Sequence, residues 1–191
     1  SRHRAKDGRI IPVEVTVNYI EFDGKEVNCV SARDISKRKR AEEALKSQVA
    51  FREGIIECAA DGICVCHDTP GYPNVSFTVW NNRMTEITGY SMDEINRNGW
   101  YQTVYPDPDV QDRARDRMDR MRQGDNLKGE DWEITRSDGV KRLVSISTSV
   151  IQGEKGTVHV LALIQDITDR KRAEQTQAFM AMMLDVSPGF V

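Results

Sequence analysis

Apolar and polar residues alternate along three segments in the second half of the chain. The period-two pattern runs through Trp132–Ile134, Val144–Val150 and Val158–Ile164, and such alternation predicts half-buried strands. Gly and Asp residues separate the segments at Ser137–Gly139 and Gly153–Gly156, as in hairpin turns. The pattern therefore predicts three consecutive antiparallel strands.

Two further strands are predicted nearer the middle of the chain. Gly62–His67 is a short apolar run, which is typical of a strand that is covered on both faces. Residues 70–74 are rich in Pro, Gly and Asn and predict a turn. Val75–Trp80 can then pair back on the first run as a hairpin.

Helix signals fill the interval between the two groups of strands. Asn81–Gly89 ends at a glycine, as helices commonly do. Ser91 and Glu94 have the spacing of a capping box. Asp107-Pro108 places an N-cap before a first-turn proline, and this helix should end near Gln123. Three helices are therefore expected in this interval.

This order of elements predicts an α+β fold. Two strands, three helices and three strands, spanning residues 48–170, suit one five-stranded antiparallel sheet with helices on one face. Helical patterns flank this region on both sides. We therefore expect linker helices before and after the sheet.

The chain also repeats itself at the scale of a domain. Residues 33–42 resemble residues 165–174 at an offset of 132, and Lys6–Gly8 resembles Ser137–Gly139 at an offset of 131. A period of this size indicates repeated domains in a longer tandem array rather than a solenoid. The expected units are the end of one domain (1–36), a linker helix (37–58), a complete domain (48–170), an outgoing helix (171–185) and the start of a further repeat (186–191).

The first unit is too small to bury its own apolar face. Its predicted strands, Ile10–Glu21 and Val27–Ala32, have no helices of their own, and about 40 residues is the usual lower limit for independent folding. We expect these strands to pack on another sheet, on a partner subunit or on the linker helix, or to be poorly ordered.

Apolar residues recur at spacings of three and four in both linker helices. The pattern is heptad-like and predicts parallel coiled coils that join two subunits. Burial of Leu45, Phe51 and Ile55 in the dimer is expected. Gln48 and Thr176 interrupt the apolar seam, so an amphipathic helix that packs on its own domain is the alternative.

Composition narrows the classes of partner. Lys and Arg number 27 and Asp and Glu number 30, for a net charge of −3, so no overall attraction to nucleic acid is expected. No apolar stretch approaches the roughly 20 residues of a membrane helix. Four cysteines without a disulfide pattern suit a reducing cytoplasm.

Cys64-Val65-Cys66-His67 raises the question of a metal or haem site. A c-type haem needs two residues between its cysteines, and only Val65 stands here. A zinc site would need further ligands, for which His3 and His159 are the other histidines. Buried strand cysteines are the favoured interpretation.

Five aspartates follow one another between residues 107 and 119. A catalytic carboxylate pair or a calcium site is conceivable there. However, several of them lie three or four positions before an arginine, which predicts ion pairs along an exposed helix face. That pairing also disfavours a nucleic-acid-binding stripe of arginines.

Several local motifs together resemble the PAS domain with its C-terminal PAC portion. They are the helix end at Thr88–Tyr90, the Ser137–Gly139 hairpin and the Asp166–Thr168 exit. The resemblance covers about residues 48–170, and residues 1–36 resemble a second copy of the PAC portion. It implies a sensory and dimerisation module whose sheet and helices enclose a small pocket, with flanking helices that carry the signal.

The resemblance also bears on cofactors. Haem-binding PAS domains place a histidine ligand on the crossover helices, but Trp100–Val110 contains none. Flavin photosensors of the family carry an Asn-Cys-Arg motif there, which is absent here. Neither b-type haem nor a photoactive flavin is expected, and the ligand, if there is one, stays unidentified.

Polar and aromatic residues near the middle of the domain are candidates for the pocket lining. An ordinary core role is the alternative for them, and Asn81 in particular can cap a helix. The candidates are Trp80, Asn81, Met84, Trp100, Tyr101 and Tyr105.

The strand-to-helix exit is the candidate output junction. Thr168, or Ser36 in the first unit, can cap the following helix, and the carboxylates of Asp166 and Asp34 complement the helix dipole. The resemblance adds a second role, because PAS domains pass pocket changes to the effector here. The predicted junction residues are Asp166, Ile167, Thr168, Asp34 and Ser36.

These observations favour a cytoplasmic sensory module of a multidomain signalling protein, with a histidine kinase as the expected downstream domain and a diguanylate cyclase as the alternative. A structural dimerisation spacer without a ligand is a further hypothesis. The expected partners are a second copy of the chain and a small molecule, with no nucleic acid. An enzyme is disfavoured, since no nucleophile–base pair, phosphate loop or metal set is visible.

Overall fold

The computed structural model describes residues 1–69, 71, 75–153 and 156–185. The chain divides into two compact units, residues 1–55 and residues 56–191. Helix α1 (Ser36–Glu57) begins in the first unit and ends just inside the second. The turns predicted at 70–74 and 153–156 lie partly outside the described residues, and the repeat predicted at 186–191 lies wholly outside them.

The first unit contains a three-stranded antiparallel sheet. Strands β1 (Arg2–Arg4), β2 (Ile10–Phe22) and β3 (Lys25–Asp34) lie in the order β1-β2-β3. The long hairpin agrees with the predicted strands, whereas β1 was not predicted because three polar residues show no period. Val13 is buried, but Val17 and Val30 are exposed, so the prediction that this sheet packs on another element stays a prediction.

The second unit contains the predicted five-stranded sheet. Its strands lie in the order β5-β4-β8-β7-β6, and every neighbouring pair is antiparallel. The predicted fold is therefore confirmed. The strands are β4 (Gly62–Asp68), β5 (Val75–Trp80), β6 (Lys128–Thr135), β7 (Lys141–Gln152) and β8 (Val158–Asp166).

Helices connect β5 to β6, and one further helix leaves the sheet. The connecting segment holds one helix more than the three predicted, because Trp100–Val104 forms a separate short helix after Gly99. The helices are α2 (Asn82–Thr88), α3 (Met92–Asn98), α4 (Trp100–Val104), α5 (Pro108–Arg122) and α6 (Thr168–Asp185).

Local signals set most of these helix boundaries as predicted. The Ser91 side chain accepts a hydrogen bond from the Glu94 N–H, and the Glu94 carboxylate accepts one from the Ser91 N–H, which is a complete capping box. Asp107 caps α5, whose first residue is Pro108. Each cap satisfies N–H groups that a helix start leaves without partners.

Two of the predicted motifs, the helix end at Thr88–Tyr90 and the hairpin at Ser137–Gly139, are in contact in the structure. Gly89 ends α2 with a left-handed φ of 77°, and a Cβ at this position would collide with the side chain of Ser137. The Ser137 N–H donates a 3.0 Å hydrogen bond to the Thr88 carbonyl. The hairpin between β6 and β7 is thus fixed against the end of α2.

The core lies between the sheet and the connecting helices. Alternate residues of β7 point inward, so that Val144, Ile146 and Thr148 are buried, whereas the serines between them are partly exposed. Met84 and Ile95 from the helices are fully buried against this layer. Within the described residues, no helix combines the length and apolar character that crossing a bilayer requires.

Candidate functional site

A small cavity lies between the inner face of the sheet and the connecting helices. It offers about 60 Å³ to the centre of a water-sized molecule, which is room for a few waters or a very small ligand. Cys64 and Cys66 of β4 line one side, and Met118 and Met121 of α5 line another. The surface that the cavity presents is mainly apolar.

The predicted pocket residues separate into two groups. Trp100, Tyr101 and Tyr105 line the cavity, whereas Trp80, Asn81 and Met84 are not among its lining residues. Trp80 packs edge-on against Trp100, with ring centroids 6.1 Å apart. Trp80 therefore supports the cavity wall from behind.

Asn81 organises the backbone beside the cavity instead of facing it. Its Oδ1 accepts hydrogen bonds from the N–H groups of Ile63 and Met84, at 2.9 and 3.1 Å. Its Nδ2 donates to the carbonyls of Ile56 and Asp61, at 2.9 and 3.1 Å. Asn81 is fully buried and caps α2, as the capping interpretation expected.

One charged residue lines the cavity, and it is held by acidic partners. Arg117 of α5 is 6% exposed. Its Nε and Nη2 donate to Glu130 at 3.0 and 2.6 Å, and its Nη1 donates to the Asp125 carbonyl at 2.7 Å. These hydrogen bonds raise the pKa of Arg117 and lower the pKa of Glu130. The guanidinium is therefore occupied by hydrogen bonds within the protein.

The other polar groups of the lining are similarly occupied or neutral. The Thr148 hydroxyl accepts a 2.9 Å hydrogen bond from the Leu127 N–H and lies 3.0 Å from the Met121 sulfur. Burial raises the pKa values of Tyr101 and Tyr105 well above the usual range for tyrosine. Both phenols are therefore neutral at physiological pH.

The two cysteines of β4 are buried free thiols. Burial raises the pKa of Cys66 to about 12 and holds the pKa of Cys64 well above its usual range. Thiols bind metals and react in the thiolate form. Because both of these thiols stay protonated, they contribute apolar surface to the cavity. This placement agrees with the strand-core interpretation of the Cys-Val-Cys sequence.

The predicted output junction is a compact hydrogen-bonded turn between β8 and α6. Oδ1 of Asp166 accepts hydrogen bonds from the Thr168 N–H at 3.0 Å and from the Thr168 hydroxyl at 2.6 Å. Its Oδ2 pairs with Arg142 at 3.2 Å. The cap that we predicted for Thr168 is thus supplied by Asp166, because the threonine hydroxyl turns toward the sheet.

Thr168 instead fastens the start of α6 to strand β7. Its hydroxyl accepts a 3.0 Å hydrogen bond from the Leu143 N–H. Ile167, which is 2% exposed, donates its N–H to the Leu143 carbonyl at 2.9 Å. The outgoing helix is therefore bound to the sheet by both backbone groups of one β7 residue.

The first unit has the same turn in a weaker form. Asp34 Oδ1 accepts a 2.8 Å hydrogen bond from the Ser36 N–H, and hydrogen bonds from Ser36 lower the Asp34 pKa. Ile35 donates its N–H to the Pro12 carbonyl at 3.0 Å. Because proline has no N–H, Pro12 cannot supply the bond that Leu143 gives to Thr168.

Strand β8 joins the cavity to this junction. Val160, Ala162 and Ile164 line the cavity from alternate positions of the strand. Asp166 is the next residue in that alternation and caps α6. The strand that lines the cavity thus ends at the residue whose carboxylate caps the outgoing helix.

Some cavity residues were not predicted. Arg117 was not among the predicted pocket residues, although it lies three positions after Ala114 and four before Met121, beside the apolar stripe of the helix. This position along the helix was the signal in the sequence that could have placed Arg117 beside the core. Val160, Ala162 and Ile164 were predicted only as strand residues, since alternation does not reveal which strand faces a cavity.

Comparisons with known proteins identify the fold. A family model described as PAS fold matches residues 77–164, and one described as PAS domain matches residues 1–37. No curated protein matches the chain significantly.

Two solved structures show the same architecture. One is a PAS domain from a two-component sensor histidine kinase, with 16% identity and a TM-score of 0.50, covering 63% of this chain and 97% of that one. Another is the PAS domain of an HTR-like protein from Haloarcula marismortui, with 22% identity and a TM-score of 0.51, covering 68% of this chain and 99% of that one. Such identities establish the fold only.

The two family matches together span about two thirds of the chain. The five-stranded antiparallel sheet with its helices on one face is the fold of the matched structures. The chain therefore contains a PAS domain.

Proposed function

We propose that this chain is a sensory and dimerisation module of a cytoplasmic multidomain signalling protein. A small molecule or a packing change at the cavity shifts β8, and the turn from Asp166 to Thr168 passes the shift to α6. The downstream effector is a histidine kinase domain, with a diguanylate cyclase as the alternative. The similarity to a PAS domain from a two-component sensor histidine kinase supports the first choice.

The observation that carries this proposal is the continuity of β8. The strand supplies Val160, Ala162 and Ile164 to the cavity wall and ends at the carboxylate that caps the outgoing helix. Packed strands and helices transmit displacements between a few discrete arrangements. A ligand that binds one arrangement more tightly than another shifts their populations.

The linker helices supply the proposed dimer contact. Leu45, Phe51 and Ile55 of α1 are between 57% and 70% exposed. Phe179 and Met183 of α6 are similarly exposed at 62% and 61%. Apolar side chains at such spacings are stabilised when two helices pair. We propose that both helices form parallel coiled coils and that residues 1–36 complete a preceding PAS domain.

A second candidate function is a dimerisation spacer that binds no small molecule. The size of the cavity favours it, because ligand pockets usually enclose about 300–1,000 Å³ and this cavity offers about 60 Å³ by the measure given above. The polar groups of Arg117 and Thr148 are also occupied by hydrogen bonds within the protein, which likewise favours the spacer. The two candidates differ in whether filling the cavity changes the output.

The test is to fill the cavity in the full-length protein. Ala162→Leu adds three carbon atoms to the β8 wall, and Ala50→Leu adds the same atoms at an exposed position of α1. The sensory proposal expects Ala162→Leu to change basal effector activity by several-fold while Ala50→Leu leaves it unchanged. Native mass spectrometry of the purified protein then reports whether a small molecule is bound. Unchanged activity in a folded Ala162→Leu protein would favour the spacer.

A further inference from the structure

The polar groups of the cavity lining are already paired within the protein. The guanidinium of Arg117 is held by Glu130 and by the Asp125 carbonyl. The Thr148 hydroxyl accepts a hydrogen bond from the Leu127 N–H. An ionic ligand would therefore have to compete with Glu130 for the guanidinium, and a buried charge without a partner is costly.

The aromatic residues of the lining are uncharged. A hydrogen bond joins the side chains of Trp100 and Tyr105, in which the phenol oxygen is the acceptor because an indole N–H only donates. Tyr101 forms a wall that the cavity shares with a polar surface pocket, which Asp68 and Arg122 also line. Burial keeps both phenols neutral by raising their pKa values.

The rest of the lining is polarisable apolar surface. The protonated thiols of Cys64 and Cys66 and the thioethers of Met118 and Met121 contribute four sulfur atoms, beside the ring of Trp132. Sulfur and aromatic groups attract apolar atoms through dispersion. A buried water, in contrast, needs about two to four polar partners. The lining therefore favours an apolar molecule over water.

The volume of the cavity limits the ligand to a few atoms. An apolar cavity of about 150 Å³ accepts benzene, which has six carbon atoms. At the same volume per atom, a cavity of about 60 Å³ accommodates roughly two or three non-hydrogen atoms. Even the best ligands of that size reach a Kd of only about 1 mM.

We propose that the cavity binds an uncharged apolar molecule of two or three non-hydrogen atoms, of the class of the light hydrocarbons. The molecule is held by contact alone, without a cofactor, a covalent bond or a hydrogen bond to the lining. This inference rests on the proposed sensory function, because it names the class of ligand for the same cavity.

The test compares propene with formamide, since each has three non-hydrogen atoms but only formamide forms hydrogen bonds. The whole chain is labelled with ¹³C at its methionine methyl groups and followed by NMR. Propene should shift the signals of Met118 and Met121 with a Kd in the millimolar range. The exposed Met180 and Met182 of α6 should not respond and serve as internal references.

Formamide at the same concentrations should leave all four signals unchanged. The proposal is overturned if formamide shifts the Met118 and Met121 signals as strongly as propene does. It is also overturned if neither signal responds to saturating propene. Both measurements use the unmodified sequence, so they do not depend on whether a variant folds.

Variants locate the ligand. Ala162→Leu fills the cavity from β8 and should weaken propene binding at least 10-fold, whereas Ala50→Leu on the exposed face of α1 should not. Tyr101→Phe should bind propene as well as wild type does, because no hydroxyl is needed. Met118→Ala enlarges the cavity and should admit benzene, which the wild-type cavity is too small to accept. Wild-type affinity for propene in a folded Ala162→Leu protein would place the ligand elsewhere and overturn the proposal.

Effector activity separates this inference from the proposed function. Propene binding that leaves the effector activity of the full-length protein unchanged would support the inference and count against the sensory role. Altered effector activity in Ala162→Leu, together with no propene binding by the wild-type cavity, would support the sensory role and overturn the inference.

Discussion

The hydroxyl of Thr168 accepts a 3.0 Å hydrogen bond from the backbone N–H of Leu143, 25 residues earlier in the chain. Thr168 is the first residue of α6 and is 6% exposed, and Leu143 lies on the strand beside β8. The bond joins the outgoing helix to the sheet without using any atom of the cavity. It can therefore be removed while the cavity is left intact.

Thr168→Val should lower the free energy of unfolding by about 1–3 kcal/mol. Valine matches the shape of threonine but leaves the Leu143 N–H without its partner, and an unsatisfied buried donor costs that much. Urea denaturation of the whole chain measures the change. Thr168→Ser keeps the hydroxyl and should lose less stability.

The same pair of variants tests the output role. In the full-length protein, a change of 1–2 kcal/mol is able to redistribute two signalling states by about 5- to 30-fold. Basal effector activity should change in Thr168→Val and in Asp166→Ala, and should stay close to wild type in Thr168→Ser. Wild-type basal and stimulated activity in all three proteins would leave the junction with a structural role only.

Asn81→Ala should be among the more destabilising single changes in the domain, at about 2–4 kcal/mol. The substitution leaves the N–H groups of Ile63 and Met84, and two carbonyls, without their side-chain partner. Thermal and urea unfolding report the loss. The matched variant is Asn81→Asp, which keeps the acceptor oxygen but cannot donate to the carbonyls while it is ionised.

Asn81→Asp should therefore be more stable relative to wild type at low pH, where its carboxyl group is protonated and regains one donor. The free energies of unfolding of Asn81→Asp and of wild type, measured between about pH 4 and pH 7, test this dependence. Equal stability of Asn81→Ala and wild type would show that the four hydrogen bonds contribute nothing net.

Local signals in the sequence predicted the elements that neighbouring residues determine. The capping box of Ser91 and Glu94, and the Asp107-Pro108 helix start, are complete within four residues, and the structure confirms both. The helix Trp100–Val104 was not predicted because five residues make little more than one turn, which is too short to show a helical period.

Contacts between distant residues explain what the sequence could not reveal. Arg117 pairs with Glu130, which lies on a strand 13 residues later, whereas sequence reasoning paired arginines only with aspartates three or four positions away. That reasoning was correct for Arg115 with Asp112 and for Arg122 with Asp119. Which arginine turns inward depends on how α5 packs on the sheet.

Glu130→Gln should lower the free energy of unfolding at pH 7 by about 1.5–3 kcal/mol, the range for hydrogen bonds to a charged group. The substitution weakens the bidentate contact between Arg117 and Glu130, so the buried guanidinium of Arg117 is left with weaker partners. Glu133→Gln is the matched control, because Glu133 pairs with Lys141 on the exposed surface, where ion pairs contribute little.

The stability difference between wild type and Glu130→Gln should depend on pH. Hydrogen bonds from Arg117 lower the pKa of Glu130 in the folded protein, so the carboxylate stabilises the fold above the pKa of the unfolded chain, about 4.3. This contribution is lost as the pH falls through the lower folded-state pKa. The difference should be constant above about pH 5 and should shrink below it. A difference that grows toward acid pH would contradict this assignment.

Phe51→Glu should shift the chain from dimer to monomer if α1 forms the proposed coiled coil. Phe51 is 70% exposed within one chain, so its replacement costs the isolated subunit little, but a charge within the seam opposes pairing. Light scattering at tens of micromolar measures the mass. Lys46→Glu, on the same helix outside the predicted seam, should stay dimeric, and a wild-type monomer at this concentration would remove the proposal.

Cys64 and Cys66 should resist a thiol reagent such as DTNB at about pH 8, while Cys29 and Cys58 react at once. The first two are buried and the last two are exposed. Burial raises the pKa of Cys66 to about 12, so only about one molecule in 10⁴ carries the reactive thiolate at that pH.

In a variant with Cys29→Ser and Cys58→Ser, labelling should be at least about 1,000-fold slower in buffer than in denaturant. Adding Cys64→Ser isolates Cys66. If Cys66 then reacts in buffer at nearly its denatured rate, the inner face of β4 opens readily, and the cavity described here is not a stable feature of the fold.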